Sequence, residues 1–242
     1  MPSPPLLEDT FLRSNWSDEF DAFENSEDSA ALLSRLRAWA SRDVLTERST
    51  ETAFIQRFFV ETWGYSLQGG EAGGYSCHPQ FPVAGAGQSG GTGAADLALG
   101  NFGTGQDGVP QVLCEFKDIR SGLDAKQPRK GNSRSPVEQC FDYLQAAWQL
   151  RERDCLTVPF FALVTDMNEF RLYTRRHGRG QFQRFVISES GDVTEPALLG
   201  DTPAAAFRRF VFWRIFQPDM LLAERGAPPI DKLLRDQITR EK

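Results

Sequence analysis

The chain has 242 residues, is 40% hydrophobic and 12% aromatic, and carries a net charge of −6 with a pI near 5.1. That apolar content is enough for a core and excludes wholesale disorder. No apolar run reaches the roughly 20 residues of a membrane helix, the N-terminus lacks a secretion signal's basic-then-apolar order, and the overall acidity argues against a protein that coats nucleic acid.

Residues 1–27 are Pro-rich and then acidic, with eight acids and one Arg from Glu8 to Asp28, and read as a loose arm. A first helix is expected from Asp28 or Ser29, with Leu32, Leu33, Leu36 and Trp39 at helical spacing. A second helix follows Ser49-Thr50. Its apolar face is Phe54, Ile55, Phe58, Phe59 and Trp63, and Gly64 stops it. Strands are predicted at Tyr75–Val83, Ala94–Leu99 and Val109–Lys117, the last two joined through the Asp107-Gly108 turn. A polar, basic loop runs from Asp118 to Ser135. Pro136 then opens a helix that reaches to about Arg153. Pro159–Thr165, Glu169–Tyr173 and Gln181–Ile187 read as strands, and a further helix begins near Pro203. The tail from Gly226 restarts a helix that buries nothing, which reads as the start of a longer protein. The expected division is an acidic arm and first helix over 1–48, a catalytic domain over 49–200 and a C-terminal helical linker over 201–242.

The four cysteines, Cys77, Cys114, Cys140 and Cys155, form no CxxC pair, so no zinc knuckle or thioredoxin-type site is visible. Scattered thiols without an export signal imply a reducing cytoplasm. The two histidines, His78 and His177, are far apart, which excludes HExxH chemistry. Gly85-Ala-Gly87-Gln-Ser-Gly90 matches GxGxxG but runs into a strand, and Gly87-Gln-Ser89-Gly90-Gly91 matches GxSxG without the helix a nucleophile elbow needs. Both are read as a glycine-rich hairpin loop.

One pattern carries chemistry. Side chains alternate faces along a strand. Leu97 and Leu99 therefore oppose Asp96 in facing, and Val112, Cys114 and Phe116 oppose Glu115 and Lys117. Folding the two strands about their turn sets Asp96 opposite Glu115, with Cβ atoms roughly 5 Å apart. Two facing carboxylates repel. A divalent cation turns that repulsion into a site, and hard oxygens suit Mg²⁺ or Mn²⁺. Lys117, on the same face, can hold a water or a phosphate oxygen. Six basic residues against two acids over 117–134 give a local positive patch in an acidic chain.

The segments AAD–LAL and VLCEFKD resemble the core of PD-(D/E)xK nucleases, with Asp96, Glu115 and Lys117 at the three motif positions and Ala95 where a Pro is usual. SPVEQCFDYL is similar to the Gln-x-x-x-Tyr helix of nuclease domains in single-chain type II restriction–modification enzymes and type I restriction subunits. TETAFIQRFFVETWGY resembles their first helix, and FFALVTDMNEFRLYTR the strand-turn-strand that follows. The matches span about residues 49–190.

The resemblance implies an α/β, restriction-endonuclease-like core: a central mixed β-sheet flanked by helices, with extra N- and C-terminal helices. It implies a Mg²⁺-dependent endonuclease, with Mn²⁺ as a substitute, that hydrolyses double-stranded DNA in phage defence. Asp96, Glu115 and Glu51 would hold the metal, Lys117 and Gln139 would complete the catalytic set, and Arg120, Lys126, Arg129, Lys130 and Arg134 would contact DNA. Implied partners are methyltransferase and target-recognition domains on the same longer chain and a transient dimer for double-strand cleavage, with no membrane. The alternative is a non-catalytic module that keeps the nuclease fold for DNA binding or subunit contact.

Overall fold

Phe11, Leu12, Trp16, Phe20 and Phe23 are interleaved with the N-terminal acids. In the computed structural model this segment is a helix, α1 (Asp9–Glu24), and no loose arm. Its acids at 18, 19, 21 and 24 face solvent, while Trp16 and Phe23 are buried. The charge run is therefore the outer face of an amphipathic helix. The structure describes residues 3–42, 47–68, 74–87, 90–103, 109–118, 121–126, 133–151, 161–189, 195–224 and 226–240.

Helix α2 (Glu27–Ala40) starts one or two residues earlier than expected, because Ser26 is its cap: the hydroxyl accepts from the Ser29 N–H at 3.2 Å. Helix α3 (Glu47–Phe54) continues as a π-helical turn over Ile55–Val60. The wider turn is visible in bonds from Glu61 N–H to Gln56 and from Trp63 N–H to Phe58, both spanning five residues. Gly64, at φ +83°, ends the run in the left-handed conformation expected of a helix stop.

Six strands follow: β1 (Tyr75–Val83), β2 (Gly93–Phe102), β3 (Val109–Phe116), β4 (Phe161–Thr165), β5 (Glu169–Thr174) and β6 (Gln183–Val186). They form one mixed sheet in sequence order. All neighbours are antiparallel except β3 and β4, which are parallel and joined through helix α4 (Pro136–Arg151). A parallel pair needs such a crossover. Strand β1 lies at the sheet edge, the position its prolines Pro79 and Pro82 require. The β4–β5 turn is held by Asp166, whose carboxylate accepts from the N–H groups of Asn168 and Glu169 at 3.1 and 2.7 Å.

Helix α4 begins with a reciprocal cap. Glu138 N–H donates to the Ser135 hydroxyl, and Ser135 N–H donates to the Glu138 carboxylate. Pro136 stands at the first helical position, as read from the sequence. The helix covers one face of the sheet over Leu113, Ala162, Val164 and Tyr173. The other face carries Leu97, Leu99, Val112, Cys114, Phe116, Leu163, Phe170 and Leu172. It is covered by α1, α2, the α3–π run and α5 (Pro203–Ile215).

The C-terminal elements belong to that same core. Phe207, Phe210, Phe212 and Ile215 of α5 are fully buried, and after a short α6 (Pro218–Leu221), helix α7 (Pro229–Arg240) buries Ile230, Leu234 and Gln237. The tail is thus packed, against the expectation that it buries nothing. Its amphipathic face meets the N-terminal segment: Gln237 accepts from Glu8 N–H at 2.8 Å and donates to Leu6 at 3.3 Å.

Phe170 is the centre of the aromatic core. Its ring lies 5.0 Å from Phe212, 5.7 Å from both Phe54 and Phe58, and 6.1 Å from Trp63. It therefore joins the sheet to α3, its π turn and α5. Phe170→Ala is expected to destabilise the protein by about 3–5 kcal/mol. Urea unfolding followed by tryptophan fluorescence measures this, and a loss below 1 kcal/mol would remove Phe170 from that role.

Candidate functional site

The site is built at the C-terminal end of β3. Val112, Cys114 and Phe116 enter the core on the α5 side of the sheet, so alternation turns Glu115 and Lys117 toward α4. Both charged side chains are buried, Glu115 at 1% exposure and Lys117 at 3%. Lys117 Nζ donates to Glu115 Oε1 at 2.5 Å. The Lys117 backbone N–H continues the parallel ladder to Thr165 at 2.9 Å, which fixes where the ammonium stem starts. In open sheets, ligands bind at the carboxyl ends of parallel strands, and this group has that position.

Asp96 reaches the same place from β2. The β2–β3 ladder runs to the pair Leu97 and Cys114, one step short of Asp96 and Glu115, which confirms the register expected from the turn. At the next step the Asp96 carboxylate takes over. Its Oδ2 accepts from the Phe116 N–H at 2.7 Å, a donor that continued pairing would give to backbone. The carboxylate therefore lies against the end of β3. Cys140 of α4 faces the group from above, with Sγ 3.4 Å from the Leu113 carbonyl. Burial pushes the Cys140 thiol well up, Glu115 and Asp96 push it further, and Lys117 opposes them. Asp96, Glu115 and Lys117 are thus brought together around one point.

The rung that holds them crosses the whole sheet. Pairs 79–97 and 81–95 put Gln80 beside Asp96. Glu115 is paired with Val164, Val164 with Arg171, and Arg171 with Arg184. The sequence gives Ala95 and Leu97 a common face; in the structure Leu97 enters one core and Ala95 the other. On β1, Cys77 and Phe81 divide in the same way. The break in alternation falls at Gln80, which has a left-handed φ of +50° inside a strand.

The other expected residues are placed as follows. Glu51, on α3, is half-buried, and its Oε1 accepts from Gln80 Nε2 at 3.2 Å. Gln139, on α4, donates to the Tyr143 hydroxyl at 2.9 Å, one helical turn on. The Tyr143 ring closes over the first residue of β2, so closely that a Cβ on Gly93 would come within 2.9 Å of it. Of the basic loop, Lys126 is exposed, Arg134 is paired with Asp142, and Arg120, Arg129 and Lys130 lie outside the described residues. Loop residue Leu123 is buried, and Asp124 pairs with Arg171 at 2.8 Å.

A further run of basic residues, Arg171, Arg175, Arg176, Arg179 and Arg184, is engaged within the fold. Arg171 and Arg184 both bind Glu169, at 2.6 and 2.8 Å, and Arg175 stacks on Trp148 at 3.7 Å. Arg176 lies 3.9 Å from Asp231, and Arg179 lies 3.4 Å from Glu138. Burial alone would raise the Glu169 carboxyl, but hydrogen bonds and charge from Arg184 and Arg171 outweigh it and hold it below its ordinary value. Arg171, Arg176, Arg179 and Arg184 of this stretch form ion pairs, and Arg175 a cation–π contact.

Among the described residues, no three His, Cys, Asp or Glu side chains form a ready-made metal cluster. Mg²⁺ is ordinarily held by one or two carboxylates with waters and substrate phosphates. Asp96 and Glu115 fit that pattern by donor chemistry, since a carboxylate offers about four lone-pair directions. Among the described residues, no helix is long and apolar enough to cross a membrane. No family model, curated protein or solved structure matches the chain.

Two measurements test this geometry. Lys117→Ala strands a buried Glu115 charge and is expected to cost about 3–5 kcal/mol, whereas Glu115→Leu combined with Lys117→Met recovers most of it. Equal urea midpoints for the two variants would contradict a buried pair. At Asp166, burial raises the carboxyl above its ordinary value despite two backbone N–H donors, so the folded state favours the neutral acid. That contribution is present at low pH and is lost as pH rises through the raised value. Asp166→Asn keeps the acceptor without the charge. It is expected to unfold later than the unsubstituted protein at pH 7, with the gap closing toward pH 3.

Proposed function

We propose that the chain is the cleavage domain of a Mg²⁺-dependent endonuclease acting on double-stranded DNA, with a restriction-endonuclease-like core of the PD-(D/E)xK kind. One observation carries the reading: two carboxylates and a lysine from adjacent strands, Asp96, Glu115 and Lys117, converge at the carboxyl end of β3 beneath α4. Burying Glu115 and Lys117 beside a half-buried Asp96 is costly unless the charges are paired or serve a ligand. An acid pair beside a lysine matches the needs of phosphodiester hydrolysis, where negative charge grows on the phosphate and a water must be held in line.

In this reading Asp96 and Glu115 hold the cation. Bound there, it supplies Lewis acidity and neutralises charge on the phosphate. Lys117 donates from its ammonium to the attacking water or to a phosphate oxygen, and its bond to Glu115 fixes that ammonium before substrate arrives. The water oxygen adds to phosphorus and releases its proton to solvent, and the bond to the 3′ oxygen breaks. The products are a 5′-phosphate and a 3′-hydroxyl that takes its proton from solvent. Cys140 and the α4 backbone exclude bulk water from one side. Gln139, tied to Tyr143, orients the helix face over the site. Arg120, Lys126, Arg129, Lys130 and Arg134 would meet the DNA backbone. Methyltransferase and target-recognition domains on a longer chain, and pairing of two copies for double-strand cutting, complete the proposal for a cytoplasmic defence enzyme.

Supercoiled plasmid incubated with the protein and Mg²⁺ or Mn²⁺ tests it, with EDTA and the variants Asp96→Ala, Glu115→Gln and Lys117→Met as controls. The expected outcome is metal-dependent nicking, abolished by EDTA and reduced at least a hundredfold in each variant. Each side chain is asked to supply about 3 kcal/mol of transition-state stabilisation, and 1.4 kcal/mol is tenfold in rate. Cleavage that survives all three substitutions would assign the activity elsewhere. An inert protein would favour a module that keeps the fold for binding alone.

A further inference from the structure

We infer that Gln80 is a positioning residue for the cation site, holding Glu51 of α3 beside the rung that carries Asp96 and Glu115. The inference rests on the nuclease reading only in taking Asp96 and Glu115 as cation ligands. Three observations meet at this residue. Gln80 lies next to Asp96 in the β1–β2 register, because 79 pairs with 97 and 81 with 95. Opposed Cα atoms in such a ladder are about 4.5–5.5 Å apart. Its backbone is left-handed at φ +50°, where most non-glycine residues pay about 1–2 kcal/mol. Its amide donates to Glu51 Oε1 at 3.2 Å, joining β1 to α3.

The strain and the bond belong together. A regular strand would keep Cys77 and Phe81 on one face; at Gln80 the chain turns over, and the two enter different cores. The same irregularity takes residue 80 out of the alternation, and its side chain bonds to Glu51 of α3. A glycine would adopt this φ without penalty, but it could not reach Glu51. Gln80 itself is exposed, and Glu51 and Asp96 are half-buried, so the edge of the site on this side is open to solvent. On the other side α4 closes it. Gln80 thus ties Glu51 to the strand position next to Asp96, at the solvent-open edge of the pair that would hold the cation. Groups that orient the surroundings of a metal, without touching it, change affinity by about 10–100-fold when removed.

Calorimetric titration of the intact chain with Mn²⁺ tests this. Gln80→Gly suits the backbone and removes only the amide, so its thermal midpoint should stay near that of the unsubstituted protein. Its Mn²⁺ dissociation constant should rise about 10–100-fold. Glu51→Gln should produce a similar rise, and the double variant should rise no further than either single one, because both remove one interaction. Gln80→Asn, which keeps an amide and tolerates a left-handed backbone, should recover part of the affinity. Unchanged Mn²⁺ affinity in Gln80→Gly, or independent and additive losses in the double variant, would overturn the inference. So would a complete absence of Mn²⁺ binding by the unsubstituted protein. Failure of the nuclease reading has a different signature: Mn²⁺ binds, is lost in Asp96→Ala and weakened in Gln80→Gly, and plasmid remains uncut.

Discussion

Strand β3 is covered on both faces, by α4 on one and by the aromatic core on the other, and no charge on it can reach water along its length. Phe116, Cys114 and Val112 fill one side, and Leu113 contacts Cys140 and Leu144 on the other. Glu115 and Lys117 break that apolar run at its end, and the energy of a buried carboxylate then dictates what surrounds it. The ammonium of Lys117 sits on the carboxylate, Asp96 caps a backbone N–H left over where the ladder stops, and α4 seals the roof. The parallel pairing of β3 with β4 sets the carboxyl ends of both strands side by side, so the polar group falls at an end of the sheet rather than in its middle.

The strength of the local patterns decides how much of this could be read from residues alone. The period-two alternation of Val112 to Lys117, the Ser135-Pro136 helix start and the Gly64 stop all appear where they were expected, since each depends on neighbours within one or two turns. The hairpin register did too over Leu97–Leu99, and it shifts by one at Gly100. Helix α1 was misread because its acids were weighed by number rather than by face; the aromatic residues between them have the helical period. Helix α7 was misread because the partners of Leu234 and Gln237 are at the opposite end of the chain. The turnover of β1 at Gln80 had no local signal beyond its proline neighbours. A left-handed glutamine is a response to tertiary contacts, and propensity gives no warning of it.

The acidic composition also acquires a physical meaning. Most of the arginines from 171 to 184 neutralise carboxylates of the sheet rim and of α7, and Arg208, buried at 3% exposure, joins Asp9 to Glu195. The chain uses its cations to tie elements together. The net charge of −6 then falls largely on outward helix faces such as that of α1.

The interlocking of residues 6–8 with Gln183 and Gln237 has a consequence for how the molecule is made. Glu8 finds its partner 229 positions later in the chain, and Leu7 finds Gln183 at a separation of 176. At about 5–20 residues per second, a ribosome needs roughly 10–50 seconds to deliver the second half of the former contact. For most of that interval Trp16 and Phe23 lack the α5 aromatic rings that cover them in the finished protein. Over that separation α1 presents an amphipathic, aromatic surface whose partners in α5 and α7 follow later in the chain.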